Sequence, residues 1–233
     1  MSDISIVKRT GQKEALDLEK LHKVVFYSCE GVSGVSPSQV ELTSHISFSE
    51  GMTTSEIQET LIKAAADLIS EETPNYQFVA GRLITYHLRK EAYGQFEPPH
   101  LKEIVQDNIK AGMYDKLLMK WYDDEEWEIL NKMIDHKRDE NYTYAAMEQF
   151  RGKYLVQDRY TGKIFETPQV ALILIGATLF HKYPKDTRMK WVKEFYESVS
   201  KFEISLPTPV MAGVRTSVRQ FSSCVLIESG DSL

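Results

Sequence analysis

Two stretches of this sequence carry residue types able to do chemistry. Near the start, Lys8 and Arg9 precede Glu14, Asp17 and Lys20. A pair of cations entering a helix start, with a third cation one turn in, suits phosphate oxygens. Free amides at a helix N-terminus and charge-assisted hydrogen bonds both favour anions. On spacing alone the same residues equally make a solvated charged edge, the commoner use of such a run. Near the other end, Cys224 sits in Arg219-Gln220-Phe221-Ser222-Ser223-Cys224-Val225-Leu226-Ile227. A thiol can act as a nucleophile, but a lone cysteine on an apolar strand is usually an inert, packed side chain.

The elements that must position these groups are legible in outline. Ile4 to Val7, a Thr10-Gly11-Gln12 turn and a return through Ala15 and Leu16 predict a hairpin. Four helices follow. Asp17 caps the first, with Leu18, Leu21, Val24 and Val25 on one face and Gly31 at its end. The second opens on Ser36 and Pro37, with Gln39 completing a capping box. Thr53 and Glu56 cap the third, whose stripe runs through Ile57, Leu61, Ile62, Ala65, Leu68 and Ile69. The fourth spans about 75–93 and ends at Gly94. Phe96-Glu97-Pro98-Pro99 then breaks the pattern, which places a boundary near residue 95.

Helix patterns continue at about 100–112, 124–135 and 142–151, the middle one capped by Asp123 with Glu126. Residues 154–156 and 164–166 flank a Tyr160-Thr161-Gly162 turn and predict a second hairpin. Two further helices occupy about 168–182 and 187–201. Pro207 and Pro209 make Ile204 to Val214 extended, and Gln220 to Glu228, rich in β-formers, predicts a buried strand. Such a strand needs neighbours, so the sequence is expected to be a fragment or to join a second polypeptide.

The 233 residues suffice for one or two domains with a real core. A formal net charge of −6 argues against a nucleic-acid partner, whose binder should be basic. The apolar run from Val170 to Leu179 is too short for a bilayer, and the first residues carry no secretory pattern. Cys29 and Cys224 form no disulfide framework and no zinc spacing, and the six histidines show none either, so no metal site and a cytoplasmic setting are expected.

Taken as a unit, Ile6-Val7-Lys8-Arg9 with Gly11, Glu14, Leu16-Asp17, Lys20-Leu21 and four helices resembles an ATP-cone, a small regulatory domain that binds ATP or dATP beneath short strands. The resemblance implies nucleotide contacts at Lys8, Arg9, Glu14, Asp17, Lys20, Thr54 and Lys90. Gln58 departs from members that carry histidine there. Farther on, Ser205 to Thr216, with Leu206-Pro207-Thr208-Pro209 at its start, leads into Arg219-Gln220-Phe221-Ser222-Ser223-Cys224. This run is similar to the large, catalytic subunit of aerobic class I ribonucleotide reductases. Ile62-Lys63-Ala64-Ala65-Ala66, Ala92 to Pro98 and Gly152-Lys153-Tyr154-Leu155 extend the likeness over essentially the whole chain. Ser217 stands where members often have proline.

That resemblance implies a mostly α fold with small β: an ATP-cone over 1–94, a helical domain over 95–203, and the first strand of an incomplete α/β barrel over 204–233. It makes Cys224 one of two redox-active thiols, reset by thioredoxin or glutaredoxin, and places Thr208 and Ser223 against the substrate. Asp231, Ser232 and Leu233 would begin the loop that reads the specificity effector. No covalently bound cofactor is implied. ATP and dATP act as effectors, and the radical comes from a separate metal-containing small subunit. The C-terminal part of the large subunit supplies the remaining catalytic groups, so activity needs that partner. No membrane and no nucleic acid is involved. The alternative is a stand-alone ATP-cone binding module without catalysis.

Overall fold

A computed structural model describes residues 4–45, 47–228 and 230. It divides into two compact units, Met1–Glu97 with Lys137–Arg151, and Pro98–His136 with Gly152–Leu233.

The first unit begins with an antiparallel hairpin, β1 (Ser5–Val7) and β2 (Lys13–Ala15), in which Ile6 faces Glu14. Gly11 turns it at φ 82°, a left-handed conformation in which a side chain would be strained. Helices α1 (Leu18–Cys29), α2 (Pro37–His45), α3 (Thr54–Asp67) and α4 (Tyr76–Tyr93) follow. Asp17 caps α1 by accepting from the amides of Glu19 and Lys20, and α3 opens with the full Thr53–Glu56 capping box. Gly94, at φ 70°, ends α4. The core is the meeting of the α3 and α4 stripes, with Leu61, Ile62, Ala65, Val79, Leu83, Ile84 and Leu88 essentially inaccessible to water. A 3-10 turn (His136–Asn141) leads to α8 (Tyr144–Gln149), which packs on α4. Gly81 allows that approach, because a Cβ there would overlap the Tyr142 carbonyl oxygen.

The second unit holds α5 (Leu101–Lys110), α6 (Leu118–Trp121), α7 (Asp124–Met133), α9 (Pro168–Phe180), α10 (Lys185–Ser200) and α11 (Thr208–Gly213). Every residue from Pro168 to Ala177 is buried, as expected of a helix apolar on all sides. Gly176 lets α10 close on it, a Cβ there lying 2.9 Å from the Phe195 ring. A wholly buried ion pair joins Glu166 to Arg215. Glu166 also accepts from the Val156 amide at 2.6 Å and from the Tyr114 hydroxyl, and Arg215 donates to the carbonyls of Met211 and Tyr154.

Several expectations need correction. Ile204–Val214 is not extended throughout, since α11 occupies Thr208–Gly213. Pro209 lies in its first turn, where the missing amide proton costs nothing. The expected buried strand at Gln220–Glu228 is an exposed coil, with Val225, Leu226 and Ile227 68%, 101% and 79% accessible. A strand exists only by hydrogen bonding to a neighbour, and among the described residues none flanks it. The hairpin at 154–166 shrinks to one bridge, Gln157 with Ile164, around the Gly162 turn. Gln39 makes no capping box; its side-chain oxygen accepts from the Tyr76 hydroxyl. Leu18 is half exposed rather than packed. The patterns also missed α6, the 3-10 turn and a π-helical turn at Phe150–Tyr154.

Candidate functional site

A cleft of about 220 Å³ opens in the first unit between the hairpin and the ends of α1, α3 and α4. Backbone bonds fix the hairpin over the start of α3: the Val7 amide donates to Met52 O at 2.9 Å and the Gly51 amide to Ser5 O at 2.8 Å. Arg9 reaches the other way, its guanidinium donating to the Lys90 carbonyl near the end of α4 at 2.5 Å. There it also complements the negative end of the helix dipole.

Of the seven residues expected to contact a nucleotide, six line this cleft: Arg9, Glu14, Asp17, Lys20, Thr54 and Lys90. Lys8 is not in the lining and instead pairs with Glu14 at 2.6 Å. Lys20 lies 3.1 Å from Asp17. Backbone and side-chain hydrogen bonds from Lys20 hold the Asp17 carboxyl below its ordinary pKa, and Asp17 in turn raises that of Lys20. Thr54 begins α3, where the first amides have no intrahelical acceptor. The arrangement therefore brings together cations, free amides and an acidic pair around one opening.

Sequence reasoning did not assign the rest of the wall. Ile6, Leu16, Leu21, Val24, Ile57 and Leu61 give it an apolar surface fit for a flat ring, and Gln58, Tyr86 and His87 add polar edges. Their helical spacing was the available signal: Leu21 and Val24 follow Lys20, Ile57 and Leu61 follow Thr54, and Tyr86 and His87 precede Lys90 by one turn. The Gln58 side chain donates to Leu83 O at 3.3 Å.

The residues expected at a catalytic centre are arranged differently. Cys224 is a free, exposed thiol in the coil that follows Arg219. Its carbonyl accepts from Ser222 Oγ at 3.0 Å, while Ser223 is exposed. Thr208 is half-buried at the start of α11, the helix whose Met211 carbonyl accepts from Arg215. Asp231, Ser232 and Leu233 lie outside the described residues. Cys29 is buried in the first unit, where loss of water pushes its thiol up to about 11. Among the described residues no helix is long and apolar enough to cross a membrane.

Two family models match the chain. The ATP cone domain matches residues 4–91, and the all-alpha domain of ribonucleotide reductase matches residues 140–219. The chain is 54% identical to the ribonucleoside-diphosphate reductase subunit alpha of Haemophilus influenzae and 54% identical to ribonucleoside-diphosphate reductase 1 subunit alpha of Escherichia coli. Each alignment takes in 99% of this chain and 30% of the relative. The enterobacteria phage T4 subunit alpha is 46% identical over the whole chain and 31% of its own length. The chain thus spans about 30% of the length of the curated relatives it matches. It belongs with ribonucleoside-diphosphate reductase alpha subunits, as the counterpart of their N-terminal region: an ATP cone followed by the all-alpha domain.

Proposed function

We propose that this counterpart of the reductase N-terminal region is the nucleotide-sensing part of an alpha subunit, binding ATP or dATP in the first-unit cleft. The observation that carries the reading is the convergence of Arg9, Lys20, Lys90 and the α3 N-terminus on one opening with an apolar wall. Cations and free amides suit the phosphates, and the aliphatic surface suits a purine ring. Lys8, outside the lining, acts through Glu14, holding that carboxylate at the rim.

The catalytic share of the proposal rests on the family. Cys224 supplies one thiol of a pair that reduces the ribose of a ribonucleoside diphosphate. The two thiols give up two electrons and two protons and become a disulfide, which thioredoxin or glutaredoxin reduces again. Thr208 and Ser223 contact the substrate, and Asp231, Ser232 and Leu233 the specificity effector. The second thiol comes from the remainder of the alpha subunit and the radical from a separate small subunit, the partners this reading requires. Exposure of Cys224 and of the apolar residues after it agrees with a segment covered by that remainder.

Equilibrium titration of the chain with ATP and dATP tests the sensing role. Saturable binding that Lys20→Ala or Lys90→Ala weakens at least tenfold, without lowering the melting temperature, is the expected result. Binding unaffected by both substitutions would overturn the cleft as the site.

A further inference from the structure

In the second unit, Asp115 lies buried in the turn between α5 and α6 and holds the chain on both sides of Thr216. Its amide donates to the Arg215 carbonyl at 3.1 Å. One carboxylate oxygen accepts from the Leu117 amide at 2.9 Å, and the other pairs with the Arg219 guanidinium. Arg219 also donates to the carbonyls of Thr216 and Val218, at 2.6 and 2.9 Å. The Thr216 hydroxyl in turn donates to the Gly213 carbonyl at 2.8 Å, so residues 213–219 form a closed turn tied to Asp115.

Beyond Arg219 the ties run out. Among the described residues, 220–228 make one hydrogen bond, from Ser222 Oγ to the Cys224 carbonyl, and it lies within the segment itself. The Phe221 ring rests against Gly213. From Arg219 to Cys224 an extended chain spans at most about 17 Å, so the point at which Arg219 is held limits where the thiol can go. The Asp115–Arg219 pair adds little to folding, because 53% of the Arg219 side chain is accessible and a solvated pair is weak. Its effect is on geometry.

We infer that Asp115 is a positioning residue for the Cys224 thiol, acting through Arg219 to fix the root of the segment that carries it. The inference rests on the reading of Cys224 as one of a redox pair. Asp115→Asn is the variant of choice, since its amide oxygen still accepts from Leu117 while its amide nitrogen repels the guanidinium. The first measurement uses the 233-residue chain, with a nitroxide carried by Gln220→Cys in a Cys224→Ser background; Cys29 is buried and stays unlabelled. The label should move slowly, and Asp115→Asn, Arg219→Gln and the two together should free it equally, with melting midpoints within about 2 °C of each other. A label equally mobile with and without Asp115 would overturn the inference.

The second measurement uses the assembled alpha subunit, whose Cys224 disulfide is titrated against a dithiol–disulfide buffer. Two thiols become a disulfide with loss of two electrons and two protons, and the effective concentration of one thiol at the other sets the potential. Asp115→Asn should lower that concentration about tenfold and move the potential about 30 mV less negative. Arg219→Gln should do the same, and the double variant no more. An unchanged potential would overturn the positioning role while leaving the redox reading intact. An unmodified subunit in which Cys224 enters no disulfide would overturn the redox reading, and this inference with it.

Discussion

The cleft of the first unit and the Cys224 segment of the second show two ways of holding a functional group. In the cleft several groups are held within the same unit: Asp17 caps α1, Arg9 binds the end of α4, and the backbone at Thr54 is set by the capping box before it. Among the described residues the Cys224 thiol has no comparable scaffold. Its segment is exposed coil, although the helix before it is anchored by the Glu166–Arg215 pair. A sensor must recognise its ligand with a preformed surface, since every group left to be ordered weakens binding. The Cys224 segment, on the proposed reading, is instead left for the remainder of an alpha subunit to order.

The sharpest way to break this comparison is Glu166→Ala. It strands the Arg215 guanidinium in a site without water, and removal of one partner of a buried pair costs about 3–5 kcal/mol. Denaturant melts should show the second unit destabilised while ATP binding by the first persists; loss of both together would mean that the units fold as one.

The two thiols should differ next most. Cys29 is buried, which pushes its thiol up to about 11, so its thiolate is about a hundredfold scarcer than that of an unperturbed cysteine. Cys224 is exposed. Timed alkylation followed by mass spectrometry should find Cys224 labelled first by a wide margin, and equal rates would contradict the contrast.

Gly81→Ala should act on the opposite unit to Glu166→Ala. Its methyl group meets the Tyr142 carbonyl, so the first unit should lose about 1–3 kcal/mol and ATP affinity should fall in parallel. A melt superimposable on that of the unmodified chain would show that α8 moves aside freely.

Smaller effects concern the caps. Thr53→Ala removes the acceptor for the Glu56 amide and should cost about 1 kcal/mol, read as a shift in the melting midpoint. Asp17 and Glu56 both have folded pKa values lowered, chiefly by backbone hydrogen bonds. Their contribution is therefore complete above the unfolded carboxylate range and is lost as pH falls through the lowered values. Midpoints followed from pH 6 to pH 3 should fall on the acid side alone, and Asp17→Asn should blunt that fall.

Much of this was legible in the residues themselves. The Asp17, Thr53 and Asp123 caps, the Gly94 stop and the apolar stripe of α3 follow from bonding rules that reach only a few positions along the chain, so local sequence determined them. The charge pattern around Glu14 alone favoured a solvated edge, and it was the resemblance to an ATP-cone that named six of the residues the cleft gathers, Arg9, Glu14, Asp17, Lys20, Thr54 and Lys90. What lay beyond local rules depended on contacts between distant residues. The role of Gly81 exists only because residue 142 passes against it, and the Nε2 of His87 faces a carboxylate only because Glu59, on another helix, is brought beside it. The β-rich segment around Cys224 has the composition of a strand yet forms none, because a strand's hydrogen bonds are made with a neighbour and composition cannot supply one.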